Sequence, residues 1–114
     1  MENEKIDFAS ENVLVPQADD LPMTVSEAVK LLPHLEEGWS VNQAGHLEKV
    51  FLVKNFKASL DLANTLGKIA ESVGYYPNLL VSYAKLRVEI WSTTIGGLSR
   101  ADFILAAKID QTRK

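Results

Sequence analysis

Between Glu71 and Asp102 the chain gathers most of the side chains that could do proton chemistry or hold a flat ligand. Two adjacent phenols, Tyr75 and Tyr76, precede Pro77, and an indole, Trp91, stands two residues before a hydroxyl, Thr93. A phenol is an admissible general acid. To act as a base at pH 7 it would need its reference pKa of about 10 lowered by roughly three units, about 4 kcal/mol. Thr93 does not titrate in this range and can offer only a hydrogen bond. Tyr75 and Tyr76 either cover a helix end as turn aromatics or touch a ligand. Trp91 is either an exposed aromatic on a contact surface or a stacking wall for a planar ring. Two carboxylates bracket the stretch. Glu71 falls on the polar arc of a helix and needs no function, and Asp102 is accounted for by helix capping.

The rest of the composition narrows what these groups could work with. There is no cysteine, which removes disulfides, thiolate nucleophiles and cysteine zinc sites. The two histidines, His34 and His46, leave almost no material for a histidine-ligated metal or a histidine-dependent triad. His34 beside Pro33 reads as a surface or capping residue, and no spacing brings His46 to the Tyr75 stretch. We therefore expect neither a metal nor a cofactor. Residues 1–22 hold six acids and one base, a net −5, leaving +2 for the remainder of a chain whose total is −3. With no basic cluster there is no electrostatic footprint for nucleic acid. No apolar run approaches the ~20 residues that span a bilayer, and the acidic N-terminus is unlike a secretory signal. The expected location is cytoplasmic.

At 114 residues the chain suffices for one domain with one core. Residues 1–22 show no sustained period and read as an acidic, flexible leader dispensable for folding, with residues 23–114 as the domain. In an alternative reading Val13-Leu14-Val15 adds an edge strand or lies across the domain. Thr24-Val25-Ser26-Glu27 has the capping-box form and opens a helix that Pro33 ends. Trp39 to Val53 reads as a hairpin turning at Gln43-Ala44-Gly45, with Leu47, Phe51 and Val53 on one face and Lys49 snorkelling at its edge. Asn55 caps a long helix that runs to Val73 and stops at Gly74. At about 100° per residue it carries two apolar stripes roughly 110° apart. Phe56, Leu60, Ala63, Gly67 and Ala70 form one; Leu62, Leu66, Ile69 and Val73 form the other. One sheet needs one stripe, so the Leu62 row is expected to face another subunit or another helix. Residues 79–83 and 86–90 alternate as a second hairpin turning near Ala84-Lys85. Ser99-Arg100-Ala101-Asp102 then opens a last helix. The order helix, hairpin, helix, hairpin, helix predicts an α+β domain with helices packed on one face of a four-stranded antiparallel sheet.

As types and spacings, the stretch from Glu71 to Asp102 resembles the motif of the pterin-4a-carbinolamine dehydratase family: Glu-x3-His-His-Pro, an aromatic, a later His followed by Gly-Gly-Leu, and an Asp. Glu71, Pro77, Tyr83, Gly96-Gly97-Leu98 and Asp102 match it. Tyr75, Tyr76 and Thr93 stand where the three histidines stand in the family. The resemblance implies the α+β fold above, a pterin ligand, and a site between the turn after the long helix and the loop after the last strand. In the family the histidines deliver a proton to the departing 4a-hydroxyl and remove one from a ring nitrogen. It implies Tyr75, Tyr76 and Thr93 at the catalytic positions, with Glu71, Pro77, Tyr83, Trp91 and Asp102 toward the ligand. Two functions follow as expectations: a 4a-hydroxytetrahydrobiopterin dehydratase that is weak or inactive, or a non-catalytic, oligomeric interaction module on the same fold. In either, the 55–73 helix is expected to build a homodimer or homotetramer.

Overall fold

The computed structural model describes residues 5–113. Three helices, α1 (Val25–Leu31), α2 (Phe56–Val73) and α3 (Arg100–Gln111), accompany four strands, β1 (Ser40–Val41), β2 (Leu47–Leu52), β3 (Asn78–Ser82) and β4 (Lys85–Ile90). The strands form one antiparallel sheet in the order β1-β2-β4-β3. The two hairpins thus join through their inner strands, with Leu47 opposite Ile90 and Phe51 opposite Leu86.

Local signals set most boundaries. Thr24 and Glu27 exchange side-chain and backbone hydrogen bonds at the start of α1 (3.1 and 2.8 Å), and Pro33 confines the continuation to a 3-10 turn, Leu32–His34. The Asn55 side chain accepts the Ala58 amide at 2.9 Å to begin α2, and Gly74 ends it in the left-handed conformation (φ 70). The second hairpin turns through Tyr83-Ala84, one residue earlier than the sequence suggests. Ala84 takes the turn's positive φ of 61, a place where Asn or Gly is the usual choice.

One face of the sheet is the core. Leu47, Phe51, Leu86, Val88 and Ile90 are buried there beneath α2 and α3. The Leu62 row of α2 does not face another subunit. Leu66 is fully buried and Leu62 nearly so, with Ser59 and Ala70 beside them, because the arc from the Leu62 row to Ala70, at the near edge of the Phe56 row, points at the sheet. Ser59 allows the close approach and donates its hydroxyl to the Lys85 carbonyl at 3.0 Å. Phe56 and Leu60 are left about half exposed.

Two further expectations are corrected. Lys49 does not snorkel outward. It turns inward on the core face, where its Nζ lies 3.0 Å from Asp110 Oδ1 and 4.8 Å above the Phe51 ring. Asp110 also accepts the Trp39 indole N–H (3.0 Å to Oδ2) and the Glu36 amide (3.1 Å), so both oxygens of the buried carboxylate have donors. Nor is the leader loosely packed throughout. Residues 1–4 lie outside the described residues. Between Ile6 and Pro16 the segment is docked: Phe8 is buried against Phe103 (ring centroids 5.9 Å apart), and Lys108 donates to the Ala9 carbonyl at 2.8 Å, while 17–22 lie exposed. An aromatic that can cover an apolar helix face does so whatever the charge of its neighbours.

Candidate active site

Gly74 sends the chain sharply out of α2, so that Tyr75 turns inward and Tyr76 outward. The Tyr75 hydroxyl donates to Asp102 Oδ1 at 2.8 Å, across from the first turn of α3. The second oxygen of Asp102 accepts the Ser99 amide at 2.7 Å and lies 3.3 Å from the Ser99 hydroxyl. This is the capping box read from the sequence, with one additional donor. Burial pushes the Asp102 carboxyl up to about 6, against the lowering effect of the Ser99 amide and the Tyr75 hydroxyl. Burial first, and then the Asp102 charge, pushes the Tyr75 phenol well above its usual range. Tyr75 is therefore a fixed donor to Asp102 and cannot serve as a base near neutrality.

On the other side, β4 ends at Ile90 and the chain enters a tight loop. Ser92 pairs with Gly97 as an isolated bridge, donating its amide to the Gly97 carbonyl at 2.9 Å. The loop turns Thr93 and Thr94 outward. Between it and the Tyr75 turn lies an open cleft of about 300 Å³, lined by Gly74, Tyr75, Tyr76 and Asn78, by Trp91 to Thr94, and by Val15. The structure thus brings together Tyr75, Tyr76, Trp91 and Thr93, with Asp102 behind Tyr75. It does not bring in the others. Tyr83 sits in the hairpin turn at the opposite end of β3 and is 72% exposed. Glu71 is exposed on α2 and does not line the cleft. Pro77 lines a neighbouring groove on the open sheet face with Leu80, Arg87 and Glu89.

The sequence reading missed His46. Its ring stacks on the Trp91 indole with centroids 3.8 Å apart and planes 1° from parallel. Its Nδ1 lies 2.7 Å from Glu89 Oε2, and the Asn42 amide donates to the same oxygen at 2.8 Å. Asn42's amide first, then His46, holds the Glu89 carboxyl below the usual range. The signal was the β2–β4 register: extending Leu47↔Ile90 by one residue sets His46 opposite Trp91 on the open face. Neither His46 nor His34 lines the cleft.

The profile of the pterin 4 alpha carbinolamine dehydratase family matches residues 21–112. The chain belongs to that family. A Rickettsia canadensis (strain McKiel) protein bearing the name pterin-4-alpha-carbinolamine dehydratase is 46% identical over 89 residues, 78% of this chain and 82% of its own. One of the same name from Alkaliphilus metalliredigens (strain QYMF) is 38% identical over 90 residues, 79% and 81% of the two chains. Among solved structures, a transcriptional coactivator/pterin dehydratase from Brucella melitensis superposes with a TM-score of 0.70 at 22% identity, covering 79% of this chain and 96% of its own. That likeness supports the shared α+β fold. The cleft lies between the turn after α2 and the loop after β4. No helix among the described residues is long and apolar enough to cross a membrane.

Proposed function

We propose that the cleft between the Tyr75-Tyr76 turn and the Trp91–Thr94 loop binds a pterin, and that this chain dehydrates a 4a-hydroxypterin weakly or not at all. Dehydration breaks the C4a–O bond: a proton reaches the departing hydroxyl, which leaves as water, and a ring nitrogen gives up a proton. Both transfers need groups that titrate near neutrality. The observation that carries the reading is the Tyr75–Asp102 hydrogen bond: the one buried phenol at the cleft already donates to a carboxylate, and burial opposes its ionisation. Tyr76 is left as a weak acid and Thr93 as a hydrogen-bonding hydroxyl. Losing a positioned acid or base typically removes a factor of about 10² to 10⁴. Trp91, braced by His46, supplies an aromatic wall suited to a flat bicyclic ring.

The test is equilibrium binding of a reduced and an oxidised pterin alongside turnover of the 4a-hydroxy substrate. The expected result is binding with turnover far below that of a histidine-containing family member; comparable turnover refutes the reading. The triple variant Tyr75→His, Tyr76→His, Thr93→His should restore measurable dehydration, since all three positions face one cleft. If that variant folds but neither binds nor turns over a pterin, the interaction-module reading takes its place. Self-association belongs to either reading. Its surface is the stripe of Phe56, Leu60, Ala63 and Gly67, because Phe56 and Leu60 remain exposed on α2 while the Leu62 row is covered. Light scattering should show a dimer or tetramer that Leu60→Glu dissociates.

A further inference from the structure

Val15 lies outside residues 21–112, which the family profile matches, yet it lines the same cleft as Tyr75, Trp91 and Thr93. What brings it there is a series of anchors along the arm from Ile6 to Pro16. The Ile6 amide donates to His34 Nδ1 at 2.8 Å. Phe8 is buried beneath the Arg100 guanidinium, whose carbon sits 4.9 Å from the ring centre. Arg100 then grips Glu11 with two parallel hydrogen bonds, Nε to Oε1 and Nη2 to Oε2, each 2.7 Å. Planar, bidentate pairs of this kind fix direction as well as distance. Pro16 is buried at the far end, and Val13 packs toward the core between the two anchors. Only Leu14 and Val15 are left with exposed apolar surface in this span.

We propose that this arm is a wall of the ligand cleft, and that Val15, held in place by the Glu11–Arg100 clasp, is a specificity-determining contact for the substituent carried by a bicyclic ligand. The proposal rests on the pterin-binding reading above. Arg100 opens α3, and Asp102, two residues on, takes the Tyr75 hydroxyl. The first turn of α3 therefore supports both the arm, through Arg100, and Tyr75, through Asp102, so a ligand touching Val15 and Tyr75 meets two lining residues with a common foundation. Val15 is 45% exposed, which leaves apolar area that a bound ring or its side chain can cover. A pterin with an extended side chain should gain more from that contact than an unsubstituted one.

The chain contains no cysteine, so Val15→Cys carries the only thiol and leaves the anchors untouched. The experiment is the rate of its alkylation by iodoacetamide, with and without saturating biopterin, beside Leu52→Cys on the open sheet face as a control. Biopterin should slow alkylation at position 15 by at least about tenfold and leave position 52 unchanged. In the ligand-free protein, adding Glu11→Gln to Val15→Cys should raise the alkylation rate roughly three- to tenfold by releasing one half of a charged, bidentate pair. Val15→Gly should weaken biopterin binding several-fold and unsubstituted pterin less. Biopterin that binds by equilibrium dialysis without protecting the thiol at position 15 overturns the contact while leaving the pterin reading standing. Absence of any pterin binding by the wild-type chain removes both. An alkylation rate indifferent to Glu11→Gln overturns the clasp.

Discussion

Removing one oxygen atom, by Tyr75→Phe, isolates the interaction at the back of the cleft. Asp102 has no exposed surface; its Oδ2 is held by Ser99, and its Oδ1 accepts the phenol at 2.8 Å. Without the hydroxyl, a buried charged oxygen loses its donor, which costs about 1.5–3 kcal/mol. For a domain of this size that is a fall in Tm of roughly 5–12 °C. The loss should depend on pH. The Asp102 carboxyl titrates at about 6 in the folded protein and near ~3.9 when unfolded. The fold therefore resists its ionisation, and stability falls as the pH rises through about 4 to 6. Tyr75→Phe raises the folded value further, so the penalty continues to grow above 6. At pH 5 the hydroxyl meets a mostly protonated carboxyl, and its loss should cost only about 0.5–1.5 kcal/mol. Urea denaturation of wild type, Tyr75→Phe, Asp102→Asn and the double variant at pH 5 and pH 8 measures this directly. A cost for Tyr75→Phe below about 0.5 kcal/mol, equal at both pH values and additive with Asp102→Asn, would refute the reasoning.

The raised Tyr75 phenol predicts an alkaline limit as well: stability is full below the unfolded phenol's value near ~10 and falls as the pH rises beyond it, a slope that pH-jump unfolding should find diminished in Tyr75→Phe. His46→Ala removes the ring stacked on Trp91, so Trp91 emission, read in a Trp39→Phe background, should shift to longer wavelength while His46→Phe largely restores it. Asp110→Ala leaves the inward-turned Lys49 ammonium unpaired and should cost about 3–5 kcal/mol in chemical denaturation, against a much smaller cost for Lys49→Met, which keeps the Trp39 and Glu36 donors on Asp110. Phe8→Ala should cost about 3–5 kcal/mol; a thermal melt indistinguishable from wild type would return residues 5–16 to the status of a dispensable leader. Ala84→Gly relieves a positive φ and should raise stability by roughly 0.5–1 kcal/mol.

Much of the architecture was legible because it is written in local rules. The two capping boxes, the Asn55 and Gly74 ends of α2, the Pro33 break and the alternation of Leu86, Val88 and Ile90 each act over a few residues, and each element forms where those residues say. The motif from Glu71 to Asp102 was likewise contiguous enough to point to the family and to the turn and loop that line the cleft. What the sequence left undecided depended on residues far apart in the chain. Both stripes on α2 are apolar in isolation, and only docking on the sheet shows that the Leu62 row is the one turned inward. Lys49 looks like an edge residue until Asp110, 61 positions later, reaches it. His46 and Trp91 meet only once β2 pairs with β4, a register set by two hairpins closing against each other. The acid-rich N-terminal segment reads as solvated because acids outnumber its few apolar side chains, yet Phe8 and the Glu11–Arg100 pair fasten it across a sequence separation of about ninety residues. Periodicity reports which faces of an element are apolar; which of them is covered, and by what, is decided by the packing of elements that the chain brings together only when folded.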